Sequence, residues 1–234
     1  MKTLVWTLPT RIFHWLLALS FTIAYILGDF DDLINYHFAF GAFVGVLIIF
    51  RILFGLIGPK YSNFRDFPIG LNHQKAFVKN YFSKNNYVGH NPAAALIMLS
   101  ILLVGLLCAI SGYLLTVDGN SAFNIIGNSE WLEDTHEVLA NVFLGLVIVH
   151  LLGVFLDAIF HWKSGTLTSI FSGYKNMEAE SAKLNIFQKA FSVLWFIIPF
   201  IFLYLAFGLQ ENKSQENSKY KNERSRHDDD DDDD

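Results

Sequence analysis

Five long apolar segments constrain this 234-residue chain more than any other feature of its sequence. Each is close to the ~20 residues that a helix needs to cross the hydrocarbon core of a bilayer. The predicted spans are approximately Ile12–Gly28, Tyr36–Gly58, Ala93–Thr116, His136–Phe160 and Phe187–Leu209. Only 17% of the residues are charged, which is too few to cover a soluble domain of this size. The sequence therefore predicts an all-α integral membrane protein, with a soluble all-helical core as the disfavoured alternative.

The distribution of basic residues predicts how the spans are oriented. The connection between spans two and three, residues 58–92, contains five Lys or Arg and a single Asp. On the opposite side, the sequences DFDD (29–32) and EWLED (130–134) contain no Lys or Arg. We therefore expect the N-terminus inside the cell and the C-terminus outside.

The chain ends in a low-complexity acidic segment. Residues 210–234 contain five Lys or Arg against ten Asp or Glu, and the last seven residues are all aspartate. Such a composition cannot bury enough apolar surface to fold. We expect a disordered acidic tail over 210–234, separate from the membrane helices.

Four histidines lie in or beside the predicted spans, at two depths. A helix rises about 1.5 Å per residue, so His136 and His150 differ in depth by roughly 21 Å and project from nearly the same face. His14 starts span one at the inner surface, and His37 starts span two at the outer surface. The topology thus predicts two pairs: His14 with His150, here called the inner pair, and His37 with His136, the outer pair.

A polar side chain within the hydrocarbon needs a partner. Two imidazoles that face each other from two helices can ligate one iron, with a haem between them. Zinc is disfavoured because these helices lack the Cys or carboxylate ligands that would complete its site. Cys108 is the only cysteine, which excludes the C-x-x-C-H motif of covalent haem attachment. The histidines are therefore candidate ligands of two non-covalent haems, and hydrogen-bonded interior histidines are the alternative.

Span two carries three further candidate cofactor-binding residues. Gly41 and Gly45 follow His37 at four-residue steps and share its face, so they leave room for a flat macrocycle or, alternatively, for close helix packing. Arg51 lies 14 residues after His37 on the same face, at the predicted depth of the inner pair. Its guanidinium is expected either to pair with haem propionates or to extend to the inner lipid headgroups.

Two helix starts can be predicted from local sequence. In GHNP (89–92), Asn91 is the predicted N-cap of span three and Pro92 its first residue. His90 is then expected to be a solvated interfacial residue, with proton or quinone chemistry as the alternative. Asp134 and Glu137 are predicted to form an approximate capping box in the first turn of span four.

Several of these segments together carry a resemblance to a known family. They are PTRIFHW (9–15), FRILFGLIGPKYSNFRDF (50–67), GHNPAAALIMLSILLVGLLCAISGYLL (89–115) and THEVLANVFLGLVIVHLLGV (135–154). They resemble the bacterial two-haem b-type cytochromes of the cytochrome b561 type, which include the cytochrome b subunits of nickel–iron hydrogenases. The resemblance covers roughly residues 1–175 and implies a four-helix haem-binding bundle. His14, His37, His136 and His150 match the ligand positions of that family, whereas span five (187–209) and the tail depart from its pattern.

The resemblance also implies a function. A two-haem b-type cytochrome of the bacterial inner membrane transfers electrons between the quinone pool and a partner redox protein, such as a periplasmic c-type cytochrome or a hydrogenase. We expect an electron-transfer subunit without catalytic residues of its own, and no nucleic-acid partner. The alternatives are a self-contained quinone-linked membrane oxidoreductase and a histidine-relay ion transporter. Against the transporter, the spans show no inverted repeat and almost no carboxylate besides Asp157.

Overall fold

The computed structural model describes residues 2–81, 87–116, 129–205 and 207–208. Its helices are α1 (Leu8–Leu27), α2 (Ile34–Ile57), α3 (Leu71–Lys79), α4 (Pro92–Thr116), α5 (Ser129–Phe160), α6 (Thr166–Ser172) and α7 (Ile186–Leu205). Single 3-10 turns span Asp31–Leu33, Phe64–Asp66 and Trp162–Ser164, and two short strands are β1 (Thr3–Leu4) and β2 (Tyr174–Lys175). The predicted acidic tail, 210–234, lies outside the described residues.

Five helices are long and apolar enough to cross a membrane, which confirms the predicted all-α membrane fold. They are α1, α2, α4, α5 and α7. Helix α5 begins at Ser129, seven residues before the predicted span, because polar residues extend the helix beyond its apolar part. Asp134 and Glu137 therefore lie past the first turn, and the predicted capping box is wrong. At α4 the prediction is confirmed, since the Asn91 side-chain oxygen accepts a hydrogen bond from the Ala94 amide at 2.8 Å.

The spanning helices pack as sequence neighbours. Helix α1 packs on α2, α2 on α4, and α4 on α5. Helix α7 adds an aromatic contact to this bundle, because buried Trp195 lies 5.4 Å from the Phe13 ring of α1 and 4.6 Å from the Phe50 ring of α2, between ring centroids. The fifth span is therefore packed on the first two helices through their shared core.

Residues 3–4 and 174–175 lie together at one end of the bundle. This end is called the inner end because it holds the inner pair. Strands β1 and β2 pair antiparallel, with Thr3 opposite Lys175. Next to them, the Trp6 indole nitrogen donates to the Ser169 hydroxyl at 3.0 Å, and both residues are buried. This small sheet closes the inner end over the helices that carry His14 and His150.

Candidate functional site

The structure brings the four candidate histidines together in two pairs. The ring centroids of His14 and His150 are 6.4 Å apart, with the rings tilted by 53°. Those of His37 and His136 are 6.0 Å apart, at 90°. His14 and His37 come from α1 and α2, whereas both partners come from α5.

These separations suit two imidazoles that bind one metal between them. A metal–imidazole nitrogen bond is about 2.0–2.1 Å, and the nitrogen lies about 1.1 Å from its ring centroid, so two opposed ligand rings have centroids about 6.2–6.4 Å apart. The 6.4 Å separation lies at the upper end of this range, and the 6.0 Å separation lies slightly below its lower end. A direct hydrogen bond between the rings would require them to be closer, with nitrogen atoms about 2.9 Å apart. The two pairs therefore fit bis-histidine ligation of two irons.

Hydrogen bonds orient both rings of the outer pair. His37 Nδ1 lies 2.8 Å from the Ala24 carbonyl oxygen, which can only accept, so this nitrogen carries the proton. His136 Nδ1 likewise lies 3.1 Å from the Cys108 carbonyl and 3.0 Å from the Ser111 hydroxyl. Metal-ligating histidines commonly use one ring nitrogen in this way, which leaves the other free for the metal. In both rings Nε2 is the nitrogen left available.

Two glycines provide space for the rings of the outer pair. A Cβ atom on Gly112 of α4 would lie 2.8 Å from His136 Cε1. A Cβ atom on Gly28, which follows α1, would lie 3.2 Å from His37 Nδ1. Removing the side chain at each position lets an imidazole lie flat against the neighbouring backbone.

The inner pair has a different environment. His14 Nδ1 is buried and has no hydrogen-bond partner among the described residues. A buried polar atom of this kind costs free energy unless another group satisfies it. The ring is held at its other side by Trp15, whose centroid lies 5.2 Å away. A buried, unsatisfied imidazole that faces a second imidazole fits the donor set of a bis-histidine haem site.

Arg51 is buried in the bundle and does not extend to the lipid headgroups. Its side chain is 3% exposed, lies over the Phe64 ring at 5.2 Å and donates from Nη2 to the Met98 sulfur at 3.7 Å. Nη1 has no partner among the described residues. A buried guanidinium held only by a ring and a thioether needs an anion.

The two glycines of α2 differ in their surroundings. A Cβ atom on Gly45 would lie 2.9 Å from Ala109 Cβ, so this glycine lets α2 approach α4 closely. Gly41 has no atom within 4 Å of its ideal Cβ position among the described residues. Of the two predicted roles, close helix packing fits Gly45, and space for a flat cofactor fits Gly41.

A seven-residue repeat on α5 places the site residues at successive levels. His136, Phe143, His150 and Asp157 follow one another at steps of seven, which is nearly two helical turns. Phe143 is 2% exposed, and its ring lies 4.2 Å from that of Phe21. This aromatic layer was not predicted from the sequence, although Phe143 stands midway between two predicted ligands. It fills the bundle between the two histidine pairs.

His90 is not the solvated residue that the sequence predicts. Its ring lies between those of Trp6 and Phe67, at 4.8 and 4.7 Å, and Nδ1 is buried without a partner in the described part of the chain. Burial lowers the pKa of His90 well below its usual range, and the charges of Arg51 and Lys175 lower that pKa further. The imidazole is therefore neutral at physiological pH.

A helical membrane bundle that presents opposed imidazole pairs at two levels belongs to the class of membrane-embedded haem proteins. The model of one family, described as prokaryotic cytochrome b561, matches residues 5–173. The chain belongs to this family of membrane-bound b-type cytochromes, whose cofactor is haem b. The match covers α1 to α6 and ends before α7.

Two curated relatives extend the comparison. Both are described as "Probable Ni/Fe-hydrogenase B-type cytochrome subunit", one from Azotobacter vinelandii and one from Azotobacter chroococcum mcd 1. Each is 23% identical over 159 residues, which covers 55% of this chain and 63% of the relative. The chain thus spans somewhat less than two thirds of their length. No solved structure matches it.

Proposed function

We propose that this cytochrome carries two b haems, one on the inner pair and one on the outer pair, and conducts electrons between the quinone pool and a partner redox protein. The observation that carries the proposal is the spacing of the two imidazole pairs, 6.4 and 6.0 Å, at opposite ends of one bundle. His136 and His150 are separated along α5 by roughly 21 Å, which spans most of a hydrocarbon core about 30 Å thick.

The residues of the chain bind, orient and insulate the cofactors. A bound haem supplies a one-electron couple whose potential depends on its axial ligands and on the surrounding charge and dielectric. His14 and His150 would hold one haem, and His37 and His136 would hold the other. The hydrogen bonds of His37 and His136 fix their ring orientation. Phe21 and Phe143 pack together between the pairs, so that apolar side chains rather than water fill the interior there.

The partner is proposed to be a hydrogenase or a c-type cytochrome on the outer side of the bacterial inner membrane. The names of the two Azotobacter relatives favour a hydrogenase. The predicted orientation places the outer pair on the periplasmic side, with a cytoplasmic N-terminus and a periplasmic C-terminus. Exposed carboxylates, Asp29, Asp31 and Asp32, surround that end of α1 and α2. Their negative charge suits a basic docking surface on the partner.

A cavity at the inner end supports the quinone proposal. Its volume is about 310 Å³, and its lining includes Tyr61, Tyr87, Gly89 and His90. This is close to the lower size limit of small-molecule sites, which combine apolar walls with a few polar groups. His90 lines this cavity, and its buried Nδ1 has no hydrogen-bond partner among the described residues, which makes it a candidate for proton exchange with a quinone.

The haem count gives the first test. We expect two haems per chain, and both should be removed by acid–acetone extraction, because the only cysteine cannot form a C-x-x-C-H attachment site. A pyridine haemochrome assay combined with protein quantification measures the ratio. A haem-free protein would support ion transport instead, and haem that stays on the chain after extraction would contradict non-covalent binding.

Gly112→Ala is expected to lower the occupancy of the outer haem and spare the inner one. The new Cβ would lie 2.8 Å from His136 Cε1, so the imidazole has to move away from its ligating position. Redox titration of the purified variant measures each haem separately. Gly145→Ala is the matched control, since no atom lies within 4 Å of its ideal Cβ position among the described residues. Equal occupancy of both haems in Gly112→Ala would rule out this steric role.

Arg51→Leu is expected to lower the midpoint potential of the inner haem and leave the outer haem nearly unchanged. A buried cation stabilises the reduced haem, which carries one positive charge less than the oxidised form. We expect a change of about tenfold in the reduction equilibrium, which equals about 59 mV for a one-electron couple. Arg65→Leu removes an exposed arginine at the same end and should have no such effect. Equal shifts of both potentials would show that Arg51 does not act locally.

A further inference from the structure

A second buried cation lies near Arg51 at the inner end. Lys175 is 3% exposed, and its ammonium donates to the Gly89 carbonyl at 3.1 Å and lies 6.0 Å from the Trp6 ring centroid. Burial lowers the pKa of Lys175 to about 8, although the charge of Asp157 opposes this shift. An ammonium group has three N–H donors, and a buried donor without an acceptor gives no stabilisation. A buried lysine of this kind indicates a nearby anion, and among the described residues no carboxylate lies within ion-pair distance of it.

The described residues leave this end short of negative charge. Neither Arg51 nor Lys175 has a carboxylate within ion-pair distance in the described part of the chain. Asp157 is the buried carboxylate in the area, and it contacts His161 at 3.2 Å. Asp157 thus already has a contact, and its charge acts on Lys175, whereas no carboxylate of the described residues pairs with Arg51. Burial of charge is tolerated only when the charge is paired.

Both cations lie at the inner end of the bundle. Arg51 follows His37 by 14 residues on α2, as His150 follows His136 on α5, so Arg51 lies near the level of His150. Lys175 lies 6.0 Å from the Trp6 ring centroid, and that ring is 4.8 Å from the His90 ring. Asp157, which attracts Lys175, lies seven residues beyond His150 on the same face of α5. Arg51 belongs to α2 and Lys175 to β2, and both lie at the end of the bundle that holds the inner pair.

We propose that Arg51 and Lys175 together form a binding site for two carboxylates, the propionates of the haem held by His14 and His150. The inference rests on the proposed function, since it requires a haem on the inner pair. Each carboxylate neutralises one cation, so that neither charge stays unpaired in the protein interior. Guanidinium and carboxylate form two parallel hydrogen bonds, and the ammonium binds as a point charge. A lipid phosphate is the other source of an anion for the same chemistry, and the experiment separates the two sources.

The test compares three variants of the full-length haem-loaded protein by redox titration. In Lys175→Gln, which keeps a hydrogen-bond donor for the Gly89 carbonyl but loses the charge, the inner midpoint potential should fall by about 59 mV, a tenfold change in the reduction equilibrium. Lys175→Arg retains the charge and should stay near the parent value. Lys163→Gln removes an exposed lysine at the same end and serves as the matched control. The outer potential should not move in any of them.

Infrared spectroscopy identifies the anion. Redox-difference spectra of protein that carries haem with ¹³C-labelled propionates should show labelled carboxylate bands that change in Lys175→Gln and not in Lys163→Gln. Bands that do not respond, with a potential shift that disappears after delipidation, would assign the anion to lipid and overturn the inference. An unshifted potential in Lys175→Gln would reduce Lys175 to a structural contact of Gly89. A preparation without haem would instead contradict the proposed function itself.

Discussion

Replacing either histidine of one pair is expected to remove one haem and leave the other in place. His14→Ala and His150→Ala should lose the inner haem, and His37→Ala and His136→Ala should lose the outer one. The physical reason is that each proposed haem would be held by both histidines of its pair, and the two pairs are separated by 14 residues of α5. The haem-to-protein ratio should fall from two to one in each variant.

Redox titration with optical detection decides which haem is lost. The His14 and His150 variants should lack the same spectral component and retain the same midpoint potential, and the His37 and His136 variants should lack the other. His73→Ala is the control, since His73 is exposed on α3 and should leave both haems intact. If the His14 and His37 variants lose the same component, the pairing is wrong, even if the protein contains two haems.

The fold was predictable from sequence as far as hydrophobicity determines it. Five spans follow from apolar length alone, and helix rise with topology brings the four histidines into the two pairs that the structure contains. Boundaries were less predictable, because hydropathy detects the apolar part of a helix and not its polar extension. Helix α5 illustrates this, since residues 129–135, which include Glu130, Glu133 and Asp134, continue it beyond its apolar part.

What the sequence could not predict are contacts between distant segments. The carbonyl groups that orient His37 and His136 belong to Ala24 and Cys108, whose side chains give no signal of that role. Lys175 reads as one more basic loop residue, and only the structure shows that it is buried and donates to the Gly89 carbonyl. These contacts depend on how helix ends and loops meet, which one sequence does not encode in any local pattern.

The same limit applies to residues whose local pattern allows two roles. Gly41 and Gly45 share one face of α2 and one spacing, yet only Gly45 contacts α4. Arg51 could have extended along the lipid-facing surface, and its burial follows from the neighbours that α2 acquires, Phe64 and Met98. In both cases the deciding information is which helix packs on α2 and at what depth.

Phe143→Ala is expected to cost about 3 kcal/mol of unfolding free energy, near the lower end of the range for this substitution in protein cores. Phe143 is almost fully buried in a cluster with Val44, Ile48 and Leu102, and its ring packs on Phe21. In a membrane the transfer part of this cost is small, because lipid tails are as apolar as the bundle interior. The cost of the cavity remains. Removing the ring leaves a space between the two histidine pairs, and the helices cannot close it because the histidines hold them apart.

Unfolding of the purified protein in mixed detergent micelles, followed by loss of helical circular dichroism, measures this difference. Phe155→Ala is the matched control, because the Phe155 side chain is 61% exposed on the same helix and faces the lipid. The control should change the unfolding free energy by less than about 0.5 kcal/mol, as expected for a surface position. Equal destabilisation by the two substitutions would mean that the interior of α5 is no better packed than its lipid face, and the aromatic layer between the histidine pairs would then have no role in holding them apart.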